Sequence, residues 1–372
     1  MTAKISEIAS IIEEIAPIRL AEDWDNVGLI IGDYNQDIKK ILLALDITSE
    51  VVNEAEQLKV DLIITHHPLI FSPIKKITQD SYITKIAIEL IKNNISVYTA
   101  HTNLDKSPRG TSYSLANLLG LQNLSYLKLD TTFRMFKYAV FVPEGYEAKI
   151  IDAIANAGGG IIGNYSHCSF MTSGTGTFKP LEGAKPTIGE VGNLEKVKEN
   201  KIEALIREDV LNNVIESVKK VHPYEEVAYD IFPLENKDER FGEGVKGEFS
   251  TSITVEDFAV EIKKKLGLER VTIIGDLKKK VKKIGVYTGS SDGILNDSSI
   301  RTIELLVTGD VKYHNAIKAR EEGLIIIDAG HYGTEKVVLP YLRDIISEKL
   351  KGKIAENNIF LSAIDSNPFK II

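Results

Sequence analysis

The sequence predicts an α/β fold: a discontinuous outer α/β domain with largely parallel, buried strands, into which a ferredoxin-like α+β domain is inserted. Three observations predict it. The 372 residues exceed what one hydrophobic core usually supports, so two domains are expected. Both ends of the chain repeat one unit: a short β-branched run without polar alternation, then a polar cluster, then a helical pattern. Such runs mark parallel strands buried on both faces. The middle of the chain reads instead as strand, helix, strand, twice over.

At the N-terminus, Ile5, Ile8, Ile12 and Ile15 recur at helical spacing, while Glu7, Glu13 and Glu14 exclude a secretory apolar segment. The buried runs are Lys40 to Asp46, Asp61 to Thr65, Ile95 to Ala100, Lys283 to Tyr287, Leu305 to Thr308 and Leu324 to Asp328. Helical stretches follow several of them, at Ser49 to Leu58, Tyr82 to Asn93 and Thr334 to Lys351, so right-handed βαβ units are the economical topology. The inserted domain is expected over residues 129–235, between outer segments 1–128 and 236–372. Within it, Gly158 to Gly160 and Gly174 to Gly176 read as turns.

Composition excludes several classes of protein. Apolar residues are 43% and charged residues 26%, values of an ordinary globular chain. No apolar run approaches the roughly 18 residues of a membrane span, and one cysteine, Cys168, cannot close an intrachain disulfide. A cytoplasmic protein without a membrane partner is expected. A net charge of -8 gives no broad basic footprint for nucleic acid, and the cationic run Lys278 to Lys283 reads as a solvated segment.

Chemistry gathers at strand ends. Five of the seven histidines (His66, His67, His101, His314 and His331) follow predicted strands of the outer domain. Ligands of open parallel sheets bind outside those carboxyl ends. In Thr65-His66-His67-Pro68, the proline holds His67 extended, so the two imidazoles point apart and suit a pair of cations about 3.5–4 Å apart better than one ion. His331 and Glu335 are four apart and share a face on a first helical turn. Asp105 offers either a bridging carboxylate or a turn cap. His101 and His314 are candidate proton shuttles, and Asp46 and Asp310 are candidate partners that orient the ligating imidazoles.

Three imidazole nitrogens and four carboxylate oxygens leave two cations short of ligands, so water completes them. A water between two divalent ions becomes a nucleophile at neutral pH. Nitrogen and oxygen donors without thiolate suit zinc, which we place first, or iron, manganese or nickel. Trp24-Asp-Asn-Val-Gly-Leu29 reads as a pocket wall or a packed turn. Gly289-Ser-Ser-Asp-Gly293 reads as a phosphate-binding loop or a plain strand-to-helix turn. No Gly-x-Ser-x-Gly elbow supports a serine hydrolase, and Cys168 beside His167 reads as packing.

These motifs together resemble the NIF-three-like family, often named GTP cyclohydrolase I type-two homologues. The matching pieces are Trp24-Asp-Asn-Val-Gly-Leu29, Thr65-His-His-Pro-Leu-Ile-Phe71, His101-Thr-Asn-Leu-Asp105, Gly309-Asp310 with His314, Gly330-His-Tyr-Gly-Thr-Glu335 and Asn367-Pro-Phe369. The resemblance implies two divalent metals on His66, His67, Asp105, His331 and Glu335, with the aspartate and glutamate bridging. It also implies a toroidal homohexamer whose metal sites face an internal cavity, and an inserted domain similar to the PII and CutA proteins, of which His222-Pro-Tyr-Glu-Glu226 is a feature. The chain departs from the family where Gly242-Glu-Gly-Val-Lys-Gly247 carries Val245 in the place of an arginine, and in the glycine-poorer Thr288-Gly-Ser-Ser291.

Two kinds of function follow as expectations. One is a metal-dependent hydrolase of a nucleotide, with ring opening of GTP implied by the resemblance, or of a phosphoester. The other is a non-enzymatic metal-binding or regulatory protein.

Overall fold

A computed structural model describes residues 2–370. It divides into two compact units, residues 1–129 with 240–372, and the inserted residues 130–239. The insertion was expected to end at 235, but its last strand, Tyr229–Lys237, runs past that point.

Besides a two-stranded pairing of Ala3–Lys4 with Asp37–Ile38, the described residues of the outer unit form two larger sheets, where the sequence pattern suggests one. The first has five strands in the order Ile359–Leu361, Ile41–Ala44, Leu62–Thr65, Ser96–Thr99 and Gly28–Ile31. The first four are mutually parallel and the last is antiparallel. The three central strands are buried at every position, which explains their unalternating apolar sequences. Leu43, Ile64 and Tyr98 face a core shared with Ile5, Ile8 and Ile12 of the helix Ile5–Ile15 and with Leu342 and Ile346 of the helix Val338–Lys349. Leu42, Ile63 and Val97 face the opposite core, against the helices Ser49–Leu58 and Tyr82–Lys92.

The second sheet has six strands, ordered Thr272–Ile274, Ile325–Asp328, Leu305–Gly309, Lys280–Ser290, Gly242–Thr254 and Gln122–Leu129. Only Ile325–Asp328, Leu305–Gly309 and Lys280–Ser290 are mutually parallel, and the flanking strands pair antiparallel. The strand Gly242–Thr254 escapes a sequence reading because its three glycines and interspersed charges look like a turn. Its close neighbours require them: a Cβ at Gly242 would lie 2.4 Å from the Lys128 carbonyl oxygen.

The inserted unit runs strand Arg134–Pro143, helix Glu147–Asn156, strands Ser169–Phe178 and Glu195–Arg207, helix Leu211–Val221 and strand Tyr229–Lys237. The order across its antiparallel sheet is fourth, first, third, second, which is the ferredoxin-like topology. Val140, Ile202 and Ile206 pack on Ile150, Ile154, Val214 and Val218 of the helices. Gly174 and Gly176 lie inside a strand, not in the turn expected of them. His222 caps the second helix, with Nε2 donating to the Phe141 carbonyl at 3.0 Å. Cys168 precedes the strand Ser169–Phe178, and its Sγ donates to the carbonyl of Tyr165. Among the described residues no helix is long and apolar enough to cross a membrane.

Candidate metal centre

Carboxyl ends of strands from both sheets of the outer unit supply the site. His66 and His67 follow Leu62–Thr65, His101 follows Ser96–Thr99, and Asp46 follows Ile41–Ala44 in the first sheet. In the second, Asp310 follows Leu305–Gly309, and His331 opens the short helix His331–Glu335 just after Ile325–Asp328. That helix stops at Glu335 and a separate one begins at Val338, where the sequence suggested a single helix.

Each imidazole is fixed through its Nδ1. His66 Nδ1 donates to the Ala100 carbonyl at 2.9 Å, His67 Nδ1 to Asp46 Oδ1 at 2.8 Å, His101 Nδ1 to Asp25 Oδ1 at 2.9 Å and His331 Nδ1 to Asp310 Oδ2 at 2.8 Å. With Nδ1–H committed, Nε2 is the remaining ring position, available to a proton or a cation. His67 Nε2 and His331 Nε2 are 3.3 Å apart. Both approach Glu335 Oε2, at 2.9 and 3.1 Å, while Glu335 Oε1 lies 3.8 Å from His66 Nε2. Asp105 Oδ1 is 3.5 Å from His66 Nε2 and accepts from Thr111 Oγ1, which in turn accepts from Thr288 Oγ1 at 2.6 Å.

These groups fit a metal. His66 Nε2 and Glu335 Oε2 are buried and have no aligned hydrogen-bond partner, although nitrogens and oxygens crowd around them. Such atoms are costly to bury unless something else satisfies them. Two groups of donors lie within 4.8 Å of one another: His66, His67 and His101, and His67, His331 and Glu335. Glu335 therefore faces both the His66 side and the His67–His331 side, as a bridging carboxylate would, whereas Asp105 stands on the His66 side.

The electrostatics follow from this crowding. Burial opposes protonation of His67, but Asp46 and Glu335 outweigh it and raise its pKa to about 10. Glu335 lifts His331 to about 9 against the opposing effect of burial, with help from Asp310. Burial likewise opposes protonation of His66, yet Asp105 and Glu335 raise it. Burial would raise Glu335, but His331, His66 and His67 hold it well below the usual carboxylate range. Asp25, despite burial, is lowered to about 2 by His101 and Thr102.

Sequence reasoning assigned His101 to orienting or proton transfer. The structure puts one of its ring nitrogens within 4.8 Å of one each from His66 and His67, so it too could hold a cation. His314 stands apart from both donor groups, exposed on the first turn of the helix Tyr313–Glu321 with its ring against Tyr313. The loop after Lys280–Ser290 offers little to a phosphate: Gly289 N donates to Thr334 Oγ1 at 3.1 Å, and Ser291 is fully buried. Asp25, Thr111, Thr288 and Ser366 were missed. Only Asp25 carried a signal, its place in the Trp24-Asp-Asn motif. Ser366 Oγ donates to Asp46 Oδ2 at 2.7 Å. A cavity of about 690 Å³ borders His67 and His331 and is lined also by Asp46, Asp310, Arg270 and Phe369.

Asp46→Ala should weaken metal binding by about 10–100-fold, the usual effect of removing the anchor of a ligating histidine. Competition with a chromophoric chelator measures it, and unchanged affinity would remove Asp46 from the centre.

A family model, Duf34/NIF3 (NGG1p interacting factor 3), matches residues 3–368. Two proteins named GTP cyclohydrolase 1 type 2 homolog are similar along their whole length. The one from Bacillus subtilis is 39% identical over 366 residues and the one from Halalkalibacterium halodurans 38% over 365, each alignment covering 98% of both chains. The solved structure of a Bacillus cereus protein related to NIF3 is 40% identical, with a TM-score of 0.90, over 100% of this chain and 99% of that one. By sequence and by fold together, this chain belongs to the Duf34/NIF3 family.

Proposed function

We propose that the chain is a metal-dependent hydrolase of a nucleotide, holding two divalent cations, zinc foremost, among His66, His67, Asp105, His331 and Glu335. One observation carries this reading: the buried Glu335 carboxylate extends one oxygen toward His66 and the other toward His67 and His331. Bound there, a cation pair would bring the pKa of a water into the neutral range and polarise the bond it attacks. The name that the relatives carry supports GTP as the substrate, and a GTP-consuming reaction fits a cytoplasmic location.

Opening the purine imidazole ring and releasing C8 as formate consumes two waters, N7 taking up two protons in all and N9, on leaving C8, one. His101, with Nδ1 anchored on Asp25, keeps Nε2 to hold or pass such a proton at the edge of the site. Thr111 holds Asp105 in position, as Asp46 and Asp310 hold His67 and His331. The adjoining cavity of about 690 Å³ lies within the range of small-molecule pockets. We assign the assembly, on the family resemblance, to a toroidal homohexamer, for which light scattering would give six times the mass of one chain.

Incubation of metal-loaded protein with GTP and with p-nitrophenyl phosphate, followed by assays of formate and phosphate, tests the reading. Formate from GTP is expected. Phosphate from both compounds would make the protein a phosphoesterase, and no product from either a metal-binding protein without turnover. His67→Ala should abolish formate release with little change in the circular dichroism spectrum. Full activity in that variant would overturn the proposed site.

A further inference from the structure

We propose that Trp24 and Phe71 form the binding surface for the planar heteroaromatic base of the substrate, next to the metal centre; the identity of the ligand rests on the nucleotide reading above. The two rings are nearly parallel, with centroids 6.5 Å apart and 13° between their planes. Both are open to solvent, Trp24 by 59% and Phe71 by 48%. Each meets the His101 ring in an edge-to-face contact, at 6.1 and 5.7 Å. The His101 ring in turn lies 5.1 Å from that of His66 and 5.4 Å from that of His67. Two aromatic rings therefore stand one imidazole away from the centre.

Isolated exposed apolar side chains are ordinary and carry no message. This pair differs in being aligned and held. Asp25, next to Trp24, accepts from His101 Nδ1, from Thr102 N at 3.1 Å and from the Thr102 hydroxyl, so the Trp24 segment is tied to the strand end that carries His101. Asn26 Nδ2 donates to the Ile70 carbonyl at 2.6 Å and fastens the Trp24 segment to the Phe71 segment. Rings placed in advance lose little conformational freedom on binding. Parallel aromatic rings with solvent-facing surfaces suit a planar π-system, because every nucleobase offers a π-face for stacking. A purely anionic ligand would use neither ring.

Trp24 is the only tryptophan in the chain, so its fluorescence reports this surface alone. Metal-loaded full-length protein is titrated with guanosine, GTP and inorganic triphosphate. Guanosine and GTP should quench the emission saturably, and triphosphate should not. Phe71→Ala should weaken the affinity read by quenching about tenfold, the scale of one lost base–aromatic stack. Trp24→Leu should raise KM for formate release by a similar factor and leave kcat nearly unchanged.

Formate release without quenching by guanosine would overturn the base surface and leave the hydrolase reading standing. Saturable quenching without formate would do the reverse. Equal guanosine affinity in Phe71→Ala would also overturn the proposal. So would emission that responds to protein dilution rather than to guanosine, because a second copy of the chain would then cover the pair.

Discussion

Glu335→Gln should strip the centre of metal and reduce formate release by more than about a hundredfold, beyond the 10–100-fold typical of losing a mere ligand anchor. Glutamine preserves the volume and removes the charge. The wild-type carboxylate is 4% exposed, and its two oxygens are approached by three imidazoles at 3.8, 2.9 and 3.1 Å. Without that charge the imidazoles that converge there would hold neither protons nor cations well. Elemental analysis of freshly purified protein should fall from about two ions per chain to fewer than one. Two retained ions would show that Glu335 is not the shared ligand.

The metal-free protein offers a companion test in its pH dependence. The folded pKa of His67, about 10, and that of His331, about 9, both lie above the ordinary 6.5. Protonated His67 and His331 therefore contribute stability in full below pH 6.5, and this contribution is lost as pH rises through about 9 and then about 10. Glu335 and Asp46 are shifted downward, so their contribution is present above the ordinary carboxylate range and is lost on acidification. Thermal melts in excess chelator should show Tm falling from mildly acidic toward strongly alkaline pH. In Glu335→Gln the alkaline decline should shrink, because the group that raises both histidines is gone. Cations compete with the same protons, so metal loading should tighten as pH rises toward about 9. A wild-type Tm independent of pH between 6.5 and about 10 would contradict the electrostatic account.

Gly289→Ala should remove metal almost as completely, although residue 289 contributes no ligand. Gly289 adopts φ +68°, and a Cβ there would lie 2.3 Å from Glu335 Oε1 and 3.5 Å from His331 Cε1. Either the backbone or the buried carboxylate must move, and the carboxylate is what the proposed cation pair would need. Left-handed backbone alone costs an alanine about 1–2 kcal/mol. Gly352→Ala separates the two effects, because Gly352 has φ +86° and a Cβ there would meet nothing within 4 Å. In urea both variants should lose the stability that left-handed alanine costs, Gly289→Ala the more for its clash, and only Gly289→Ala should lose metal. Normal metal content in Gly289→Ala would mean that the backbone at residue 289 yields, or that Glu335 can be displaced without consequence.

The legible part of the site was the part written in local pattern. Adjacent His66 and His67 before Pro68, and the His331–Glu335 pair on one helical turn, could be read because strand and helix periodicities dictate where neighbouring side chains point. The illegible part lies in partners without spacing. Thr111 and Thr288 are 177 residues apart, and Ser366 reaches Asp46 across 320 residues. A hydroxyl that orients a carboxylate looks like any other in the sequence. His314 shows the converse: it follows a strand end as His101 does, but its helix leaves it in solvent.

By itself the sequence determined the six unalternating buried strands, the helices Ile5–Ile15, Ser49–Leu58 and Tyr82–Lys92, the inserted ferredoxin-like topology and the donor-rich strand ends, because burial and backbone geometry impose short periods on apolar residues. Only the tertiary structure decided that two sheets share the centre and that His67 and His331, 264 residues apart, bring their Nε2 atoms to 3.3 Å. It alone brought His101 in among the donors and set Gly289 against Glu335. The reason is physical: local pattern specifies which face of an element is buried, whereas packing of whole elements against one another specifies which faces meet.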